Sequence, residues 1–344
     1  MVDNLFPCDI GAFVTIQEAI MKLRTIGLIG ILTVGLLAGP LLTEAQQAGK
    51  VYRIGYLFTG TSARDKSLLA AFQQGLQELG YLEGKNIVIE QRYGKRHQRP
   101  ALAAELVRLK VDIIVTGGGG ARAAKKATST IPIVMTYHAD PVRARLVASL
   151  AHPGGNVTGL SDYHADLVTK RLELLMEVVP STSRLAILMK PGHRLNQRML
   201  KDIQAAAPAL GMAVRPLEVK GPDDIDRAFA TIRKERLGGF LQFFGIEDHR
   251  SRIITFAAKN RVPAIYTHGG WVAAGGLMYY GASWPDLFRR AAVYVDKILR
   301  GTKPTDLPVE QPTKFNLVIN LKTAKQLGIT IPPNILYQAT KVIK

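Results

Sequence analysis

Short apolar stretches rich in β-branched residues alternate along the chain with longer segments whose apolar residues recur every three or four positions. The first pattern is typical of buried strands and the second of amphipathic helices. Strands and helices that alternate in this way form a parallel, doubly wound α/β sheet. The first half of the chain is predicted to contain strands at 51–58, 86–91, 111–116 and 131–137, with helices 68–79, 101–109 and 121–128 between them.

The pattern starts again after Ser161, which predicts a second α/β unit. Two successive units of this kind indicate a molecule of two lobes. Because ligands bind beyond the carboxyl ends of parallel strands, two facing lobes would place both sets of strand ends around one cleft. The predicted strands of the second unit are 184–190, 212–219, 239–244, 262–266, 277–280 and 315–319, and its helices include 196–210, 284–300 and 321–327.

The stretch Asp140–Ser161 joins the two units. A helix-like run, Val142–Leu150, stops at His152-Pro153-Gly154-Gly155, because proline cannot continue a helix and glycine tolerates a positive φ. A short strand-like run, Asn156–Leu160, follows. We therefore expect the chain to cross from one lobe to the other here.

The N-terminal segment has the features of a secretory signal peptide. Lys22 and Arg24 form a positive region, 26–42 is apolar, and small residues up to Ala45 suit cleavage. The alternative is an uncleaved membrane anchor, because the apolar run is about long enough to span a bilayer. We expect 21–45 to be the signal peptide and 1–20 an extension upstream of the true start. The mature protein is then periplasmic or extracytoplasmic, and it is not a lipoprotein because no cysteine lies near the cleavage site.

The net charge is +18, from 45 basic and 27 acidic residues. An excess of this size suits a polyanionic partner. The basic residues are spread along the chain, however, and no nucleic-acid-binding module accompanies them, so we expect no nucleic-acid partner. The chain also lacks GxSxG, HExxH and phosphate-binding lysine motifs, and its histidines lack metal-ligand spacing. This predicts a protein that is not an enzyme and holds no cofactor and no metal.

Four stretches of the chain are similar to one family of proteins. They are YRIGYL from Tyr52, DPVRARLVASLAHPGGNVTGLS from Asp140, KRLELLMEVVP from Lys170, and the long run from Trp284 to Pro333. On these stretches the chain resembles the substrate-binding proteins of bacterial ABC transporters, some of which serve the uptake of aromatic amino acids. The resemblance implies a periplasmic-binding-protein type I fold. Such a fold has three crossovers between its lobes, expected here near 157–161, 281–283 and 308–312.

The resemblance also implies how the protein works. A monomer would bind a small solute in the cleft, close on it by a hinge motion, and deliver it to an ABC permease in the inner membrane. The solute expected on family grounds is an aromatic or branched amino acid, while the cationic composition equally suits an anionic solute. The alternative is a ligand-sensing module that signals to a membrane receptor. A lactose-repressor-type regulator shares the fold but needs an N-terminal helix-turn-helix, and the predicted signal peptide lies there instead. Lobe 1 is expected to comprise 50–158 plus 282–307, and lobe 2 to comprise 159–281 plus 308–344.

The loops after the strands of the first lobe supply candidate ligand contacts. The glycine run Gly117–Gly120 could offer backbone N–H groups to an anion, or it is only a tight turn before a helix. The hydroxyls after the first strand suit a carboxylate, or they cap the helix. Asp140 could pair with a ligand ammonium, or it too is a cap. The predicted contacts are Thr59, Gly60, Thr61, Gly117, Gly118, Tyr137, His138 and Asp140, with Ser161 and Asp162 at the crossover.

Aromatic residues end several predicted strands of the second lobe. Rings at such positions could clamp a planar or apolar ligand, or they could be packed in the core. The predicted contacts from this lobe are Phe244, Tyr266, His268 and Tyr280.

Overall fold

The computed structural model of the protein describes residues 50–58, 62–162 and 166–344. The predicted signal peptide, the predicted upstream extension and the candidate contacts Thr59, Gly60 and Thr61 lie outside these ranges, so they stay predictions. None of the helices in the described ranges is long and apolar enough to cross a membrane.

Two sheets form the scaffold. The first contains five parallel strands in the order β2-β1-β3-β4-β5, and the second contains seven strands in the order β12-β11-β10-β9-β8-β6-β7. The strands are β1 Tyr52–Phe58, β2 Ile87–Tyr93, β3 Ile113–Gly117, β4 Ile133–Tyr137, β5 Val157–Gly159, β6 Arg184–Met189, β7 Ala213–Glu218, β8 Phe240–Gln242, β9 Ala264–Tyr266, β10 Met278–Ala282, β11 Phe315–Asn320 and β12 Lys341–Ile343.

Helices cover both sheets. Their bounds are α1 Ser62–Glu78, α2 Arg99–Arg108, α3 Gly119–Ala127, α4 Val168–Val178, α5 Arg194–Ala206, α6 Pro222–Lys234, α7 Arg250–Lys259, α8 Gly269–Ala273, α9 Trp284–Leu299, α10 Leu321–Leu327 and α11 Pro333–Gln338. Each sheet with its helices buries an apolar core of its own. The result is the predicted two-lobe α/β architecture.

The first lobe takes one helix from late in the chain. Helix α9 packs against α1, and Phe288 of α9 is buried with Phe72 of α1 and Tyr56 of β1 in one cluster. The apolar face of α9 therefore completes a core whose strands lie from about 150 to more than 220 residues earlier in the sequence. These contacts support the expected assignment of 282–307 to lobe 1, which stays a prediction.

The second sheet is mixed rather than fully parallel. Strands β6 to β10 run parallel to their neighbours, but β11 pairs antiparallel with β10, with Gly281 opposite Asn316. The C-terminal strand β12 then pairs parallel with β11. Neither β12 nor the short helix α11 follows from the apolar pattern, because each is too short to show a period.

The chain segments that join the lobes lie side by side. Gly159 accepts a backbone hydrogen bond from Glu310 at 3.0 Å, and the Ser161 N–H donates to the Glu310 carbonyl at 2.8 Å. The Thr158 hydroxyl donates to the Leu307 carbonyl at 2.5 Å. Gly159 adopts φ +122°, and a Cβ atom there would overlap the backbone of Met135. A glycine is therefore required where β5 leaves the first sheet.

The helix predicted at Val142–Leu150 is wrong. These residues form turns, because Arg145 adopts a left-handed φ of +56° that interrupts helical hydrogen bonding. The Ala148 N–H then donates to the Pro153 carbonyl at 2.9 Å, which folds the segment back on itself. The apolar residues of this stretch, Leu146 and Val147 among them, are buried by a turn and not by a helix.

Candidate ligand-binding site

The glycine turn after β3 brings the backbone close to an aromatic ring. A Cβ atom on Gly117 would overlap the ring of Tyr137, and one on Gly118 would lie 3.4 Å from it. Gly118 has φ +51°, and its N–H donates to the Tyr137 carbonyl at 2.9 Å. Gly117 therefore has to be a glycine to leave room for the Tyr137 ring, and Gly118 accommodates the positive φ. Their contact with a ligand stays a prediction.

Three rings form a row from the first lobe to the second. The ring of Tyr137, at the end of β4, stacks on Trp284 with centroids 4.5 Å apart and planes 26° apart. Trp284 begins α9 directly after β10, and its ring lies 5.9 Å from that of His268, which follows β9 in the second lobe. The His268 Nδ1 atom accepts the Gly270 N–H at 3.2 Å and so caps α8. We call Tyr137, Trp284 and His268 the aromatic row.

The crossover residues hold the loop after β4. The Ser161 hydroxyl donates to the His138 carbonyl at 2.8 Å, and the Asp162 N–H donates to the same oxygen at 3.3 Å. The His138 Nδ1 atom accepts the Asp140 N–H at 3.1 Å. Burial lowers the pKa of His138 to about 4, with Asp140 opposing that shift and Arg122 adding to it. His138 is therefore a neutral imidazole at pH 7 that acts as a hydrogen-bond acceptor at Nδ1.

Asp140 is engaged by an arginine of the second lobe. Its Oδ2 atom accepts a hydrogen bond from Arg198 Nη1 of α5 at 2.6 Å, and its Oδ1 atom accepts the Arg143 N–H at 2.9 Å. Arg198 also donates to Asp166 at 3.1 Å and lies 3.5 Å from Asp202. These contacts favour the capping interpretation of Asp140 and add an ion pair between the lobes. A role in binding a ligand ammonium stays a prediction.

A buried arginine lies beside the crossover. Arg171 of α4 is only 2% exposed, and its Nε atom donates to the Tyr280 carbonyl at 2.8 Å. Burial lowers the pKa of Arg171 to about 10, while the neighbouring Tyr279, Asp162 and Tyr280 oppose the shift. Asp162 is itself 3% exposed. A cationic and an anionic side chain are therefore buried together where the chain enters the second lobe.

The aromatic candidates of the second lobe fall into two groups. Phe244 is half-buried, its backbone is held by two hydrogen bonds to the Asn196 side chain at 2.8 and 3.1 Å, and its ring faces His193. Tyr280 is also half-buried, with its ring 5.9 Å from that of Phe315.

Tyr266 differs from both. It is 1% exposed and stacks on Trp271 at 5.0 Å, with Phe240 at its edge. The structure therefore favours core packing at Tyr266.

Arg99 places a cation at the strand ends of the first lobe. Its Nη1 atom lies where a Cβ atom of Gly119 would be, and its Cζ atom is 3.4 Å from that position. Its Nε atom is buried and has no hydrogen-bond partner among the described residues. No group of three or more His, Cys, Asp and Glu residues in the described ranges is arranged to hold a metal ion.

A family model decides the identity of the chain. The model for the ABC transporter substrate binding protein matches residues 61–343, which is most of the chain and both lobes. The chain belongs to this family. Its members are solute-binding proteins and not enzymes.

Individual relatives of this substrate-binding protein agree with the family. It is 27% identical to the tyrosine-binding protein of Clostridioides difficile strain R20291 over 262 residues, 75% of each chain. It superposes with TM-score 0.77 and 25% identity on a Streptococcus pneumoniae ABC domain in complex with L-Trp, over 86% of this chain and 100% of that one. A conserved domain protein from Vibrio cholerae gives TM-score 0.77 and 28% identity, with 85% and 100% covered.

Several residues of the site in this substrate-binding protein are absent from the sequence-based prediction. Trp284 could have been found, because an indole follows a predicted crossover directly. Arg171 interrupts an otherwise apolar helix face, which is a sequence signal for a buried charge. Arg99 and Arg198 give no such signal, because single arginines at helix surfaces are common.

Proposed function

We propose that this protein is the extracytoplasmic solute receptor of an ABC uptake transporter and that it holds an aromatic amino acid between its lobes. The observation that carries this proposal is the aromatic row, which reaches from the strand ends of the first lobe to those of the second. Aromatic side chains supply large apolar contact areas and stack on planar ligands. The tyrosine and L-Trp that two relatives bind are ligands of this class.

The proposed contacts come from both lobes. Tyr137, Trp284 and His268 would face the ring of the ligand. Phe244, which follows β8, and Tyr280, in the middle of β10 and not at its end as the sequence predicts, are half-buried aromatic residues of the second lobe. Gly117, Gly118, His138, Ser161, Asp162 and the hydroxyls of Thr59 and Thr61 remain candidate polar contacts.

Closure of the lobes is the proposed mechanism. A ligand that touches both lobes stabilises the closed arrangement by the difference between its contacts in the closed and open states. The Arg198–Asp140 pair is a contact of the same kind, since it joins α5 to the loop after β4. The closed protein would then dock on a permease and release its solute.

A thermal-shift screen of the chain from Gln46 onward tests the proposal. A ligand that binds only the folded state raises the Tm once its concentration exceeds its Kd. We expect L-Tyr or L-Trp to raise the Tm and to be recovered unchanged, and sugars and purines to leave it unchanged. No shift with any aromatic amino acid would contradict the proposed ligand class.

Variants at the aromatic row locate the binding site. We expect Trp284→Ala to reduce affinity roughly five- to thirtyfold, because the loss of an aromatic contact costs about 1 to 2 kcal/mol. Trp284→Phe keeps a ring and should retain most of the affinity. Tyr337→Ala removes a ring that is 94% exposed and serves as the matched control. Equal affinities for Trp284→Ala and Tyr337→Ala would place the ligand elsewhere.

A further inference from the structure

The positive charge of Arg99 lies close to other positive groups of the first lobe. Its guanidinium lies against Gly119, the first residue of the nine-residue helix α3, where the helix dipole is positive. Burial lowers the pKa of Arg99, the neighbouring Tyr137 opposes that shift, and Arg96 lowers the pKa further. A second cation and a helix N-terminus therefore surround this guanidinium.

The arginine seven residues earlier shows what a structural pairing looks like in the same lobe. Arg92 Nε donates to Glu105 of α2 at 2.9 Å, and its Nη1 atom lies 3.6 Å from Glu90. Arg99 lies on the same helix as Glu105, yet among the described residues no carboxylate approaches it within the 4.0 Å of an ion pair. A buried N–H group without an acceptor costs free energy unless something else supplies the acceptor.

We propose that Arg99 binds the carboxylate of the ligand and that the protein selects aromatic carboxylates, for which an ammonium group is not required. The planar guanidinium forms two parallel hydrogen bonds with a carboxylate. The backbone N–H groups at the start of α3 are further donors to the same anion. The ring of the ligand would extend from Arg99 over the neighbouring Tyr137 towards Trp284.

The remaining charges near the crossover explain why the ammonium would add little. Asp140 pairs with Arg198, and Asp162 is buried in the field of Arg171. Each of these carboxylates therefore already lies in the field of an arginine. An ammonium placed beside either would compete with that arginine, whereas a carboxylate beside Arg99 meets a cation that has no acidic partner among the described residues.

This inference rests on the proposed function, since it names the chemical group that the same site selects. Isothermal titration with a matched ligand series tests it. L-Tyr and L-Trp are compared with 3-(4-hydroxyphenyl)propionate and indole-3-propionate, which lack the ammonium, and with tyramine and tryptamine, which lack the carboxylate. We expect the propionates to bind within roughly tenfold of the amino acids, and the amines to bind at least roughly 100-fold more weakly, because only the acids engage the charge of Arg99.

Variants of Arg99 complete the test. Arg99→Gln should weaken binding of the acids and amino acids roughly 30-fold, the equivalent of about 2 kcal/mol, and Arg99→Lys should lose less. The Tm of the ligand-free Arg99→Gln protein should not fall, because the guanidinium forms no ion pair within the described part of the chain. Arg108→Gln, at the exposed far end of α2, is the matched control and should bind like the wild type.

Three results would overturn the inference. They are unchanged affinity in Arg99→Gln, amines that bind as tightly as the amino acids, and propionates that fail to bind while the amino acids do. In each of these cases the wild type still binds an aromatic ligand, so the proposed function stands. A wild-type protein that binds no member of the series overturns both.

Discussion

Two arginines near the strand ends are both partly or fully withdrawn from water, but their surroundings differ. Arg171, at the crossover, is 2% exposed, donates to the Tyr280 carbonyl and lies in the field of Asp162. Arg99, at the glycine turn of the first lobe, faces a helix N-terminus and Arg96. Burial lowers the pKa of both.

This difference indicates that Arg171 stabilises the fold, whereas the charge of Arg99 is available to the ligand that we propose. A buried cation with a buried anion beside it is compensated within the chain, and losing one partner leaves the other uncompensated. A cation among other positive groups lowers the stability of the ligand-free protein, and a bound anion removes that repulsion. Removal of Arg171 should therefore destabilise the protein far more than removal of Arg99.

The largest effect is expected at the crossover. Arg171→Met should lower the free energy of unfolding by about 3 to 5 kcal/mol, because it leaves the Asp162 carboxylate buried without its cation. Urea unfolding at pH 7 measures this change. Arg99→Met should change the same quantity by less than about 1 kcal/mol. Similar losses in the two variants would show that both arginines are structural.

The pH dependence of stability sharpens the comparison through His138, which lies beside the crossover. Its pKa of about 4 in the folded protein lies below 6.5, so the unfolded chain takes up the proton first as the pH falls. The contribution of His138 is complete above pH 6.5 and is lost between about 6.5 and 4. We expect His138→Gln to reduce this acid-induced loss by on the order of 3 kcal/mol.

Unfolding curves between pH 7 and 4 test that expectation. His152→Gln is the matched control, because His152 is an exposed histidine on a nearby turn. If both variants keep the full acid-induced loss, the carboxylates and not His138 account for it.

The smallest effect is expected at the ion pair between the lobes. Arg198→Gln should weaken ligand binding only about two- to fivefold, because the side chains of Arg198 and Asp140 are 25% and 30% exposed. The wild-type affinity should decrease with added salt, and that of the variant should change less. Titrations at low and high NaCl measure both quantities.

Arg252→Gln removes an exposed arginine that pairs with Asp226 within the second lobe, and it should leave binding and its salt dependence unchanged. An Arg198→Gln protein with the same salt dependence as the wild type would mean that the ion pair does not contribute to closure.

Much of the fold follows from local pattern. The runs that became β1, β3 and β4 are buried on both faces, and such strands are continuous apolar stretches that need no tertiary information to recognise. The turn at Val142–Leu150 has an equally apolar pattern, but that pattern does not reveal the left-handed φ of Arg145. The antiparallel direction of β11 also has no local signature, because an apolar strand reads the same in either direction.

Some features of the candidate site also follow from the local pattern, and others do not. The sequence by itself determined that the strand ends carry Tyr137 and His268, because a residue that follows a parallel strand lies at the carboxyl edge of the sheet. Only the tertiary structure decided that Trp284 lies between them, that Arg198 reaches Asp140, and that Arg99 lies against Gly119. Those contacts join residues from 16 to 147 positions apart. The distance between two side chains so far apart is set by how whole helices pack, and no local pattern records it.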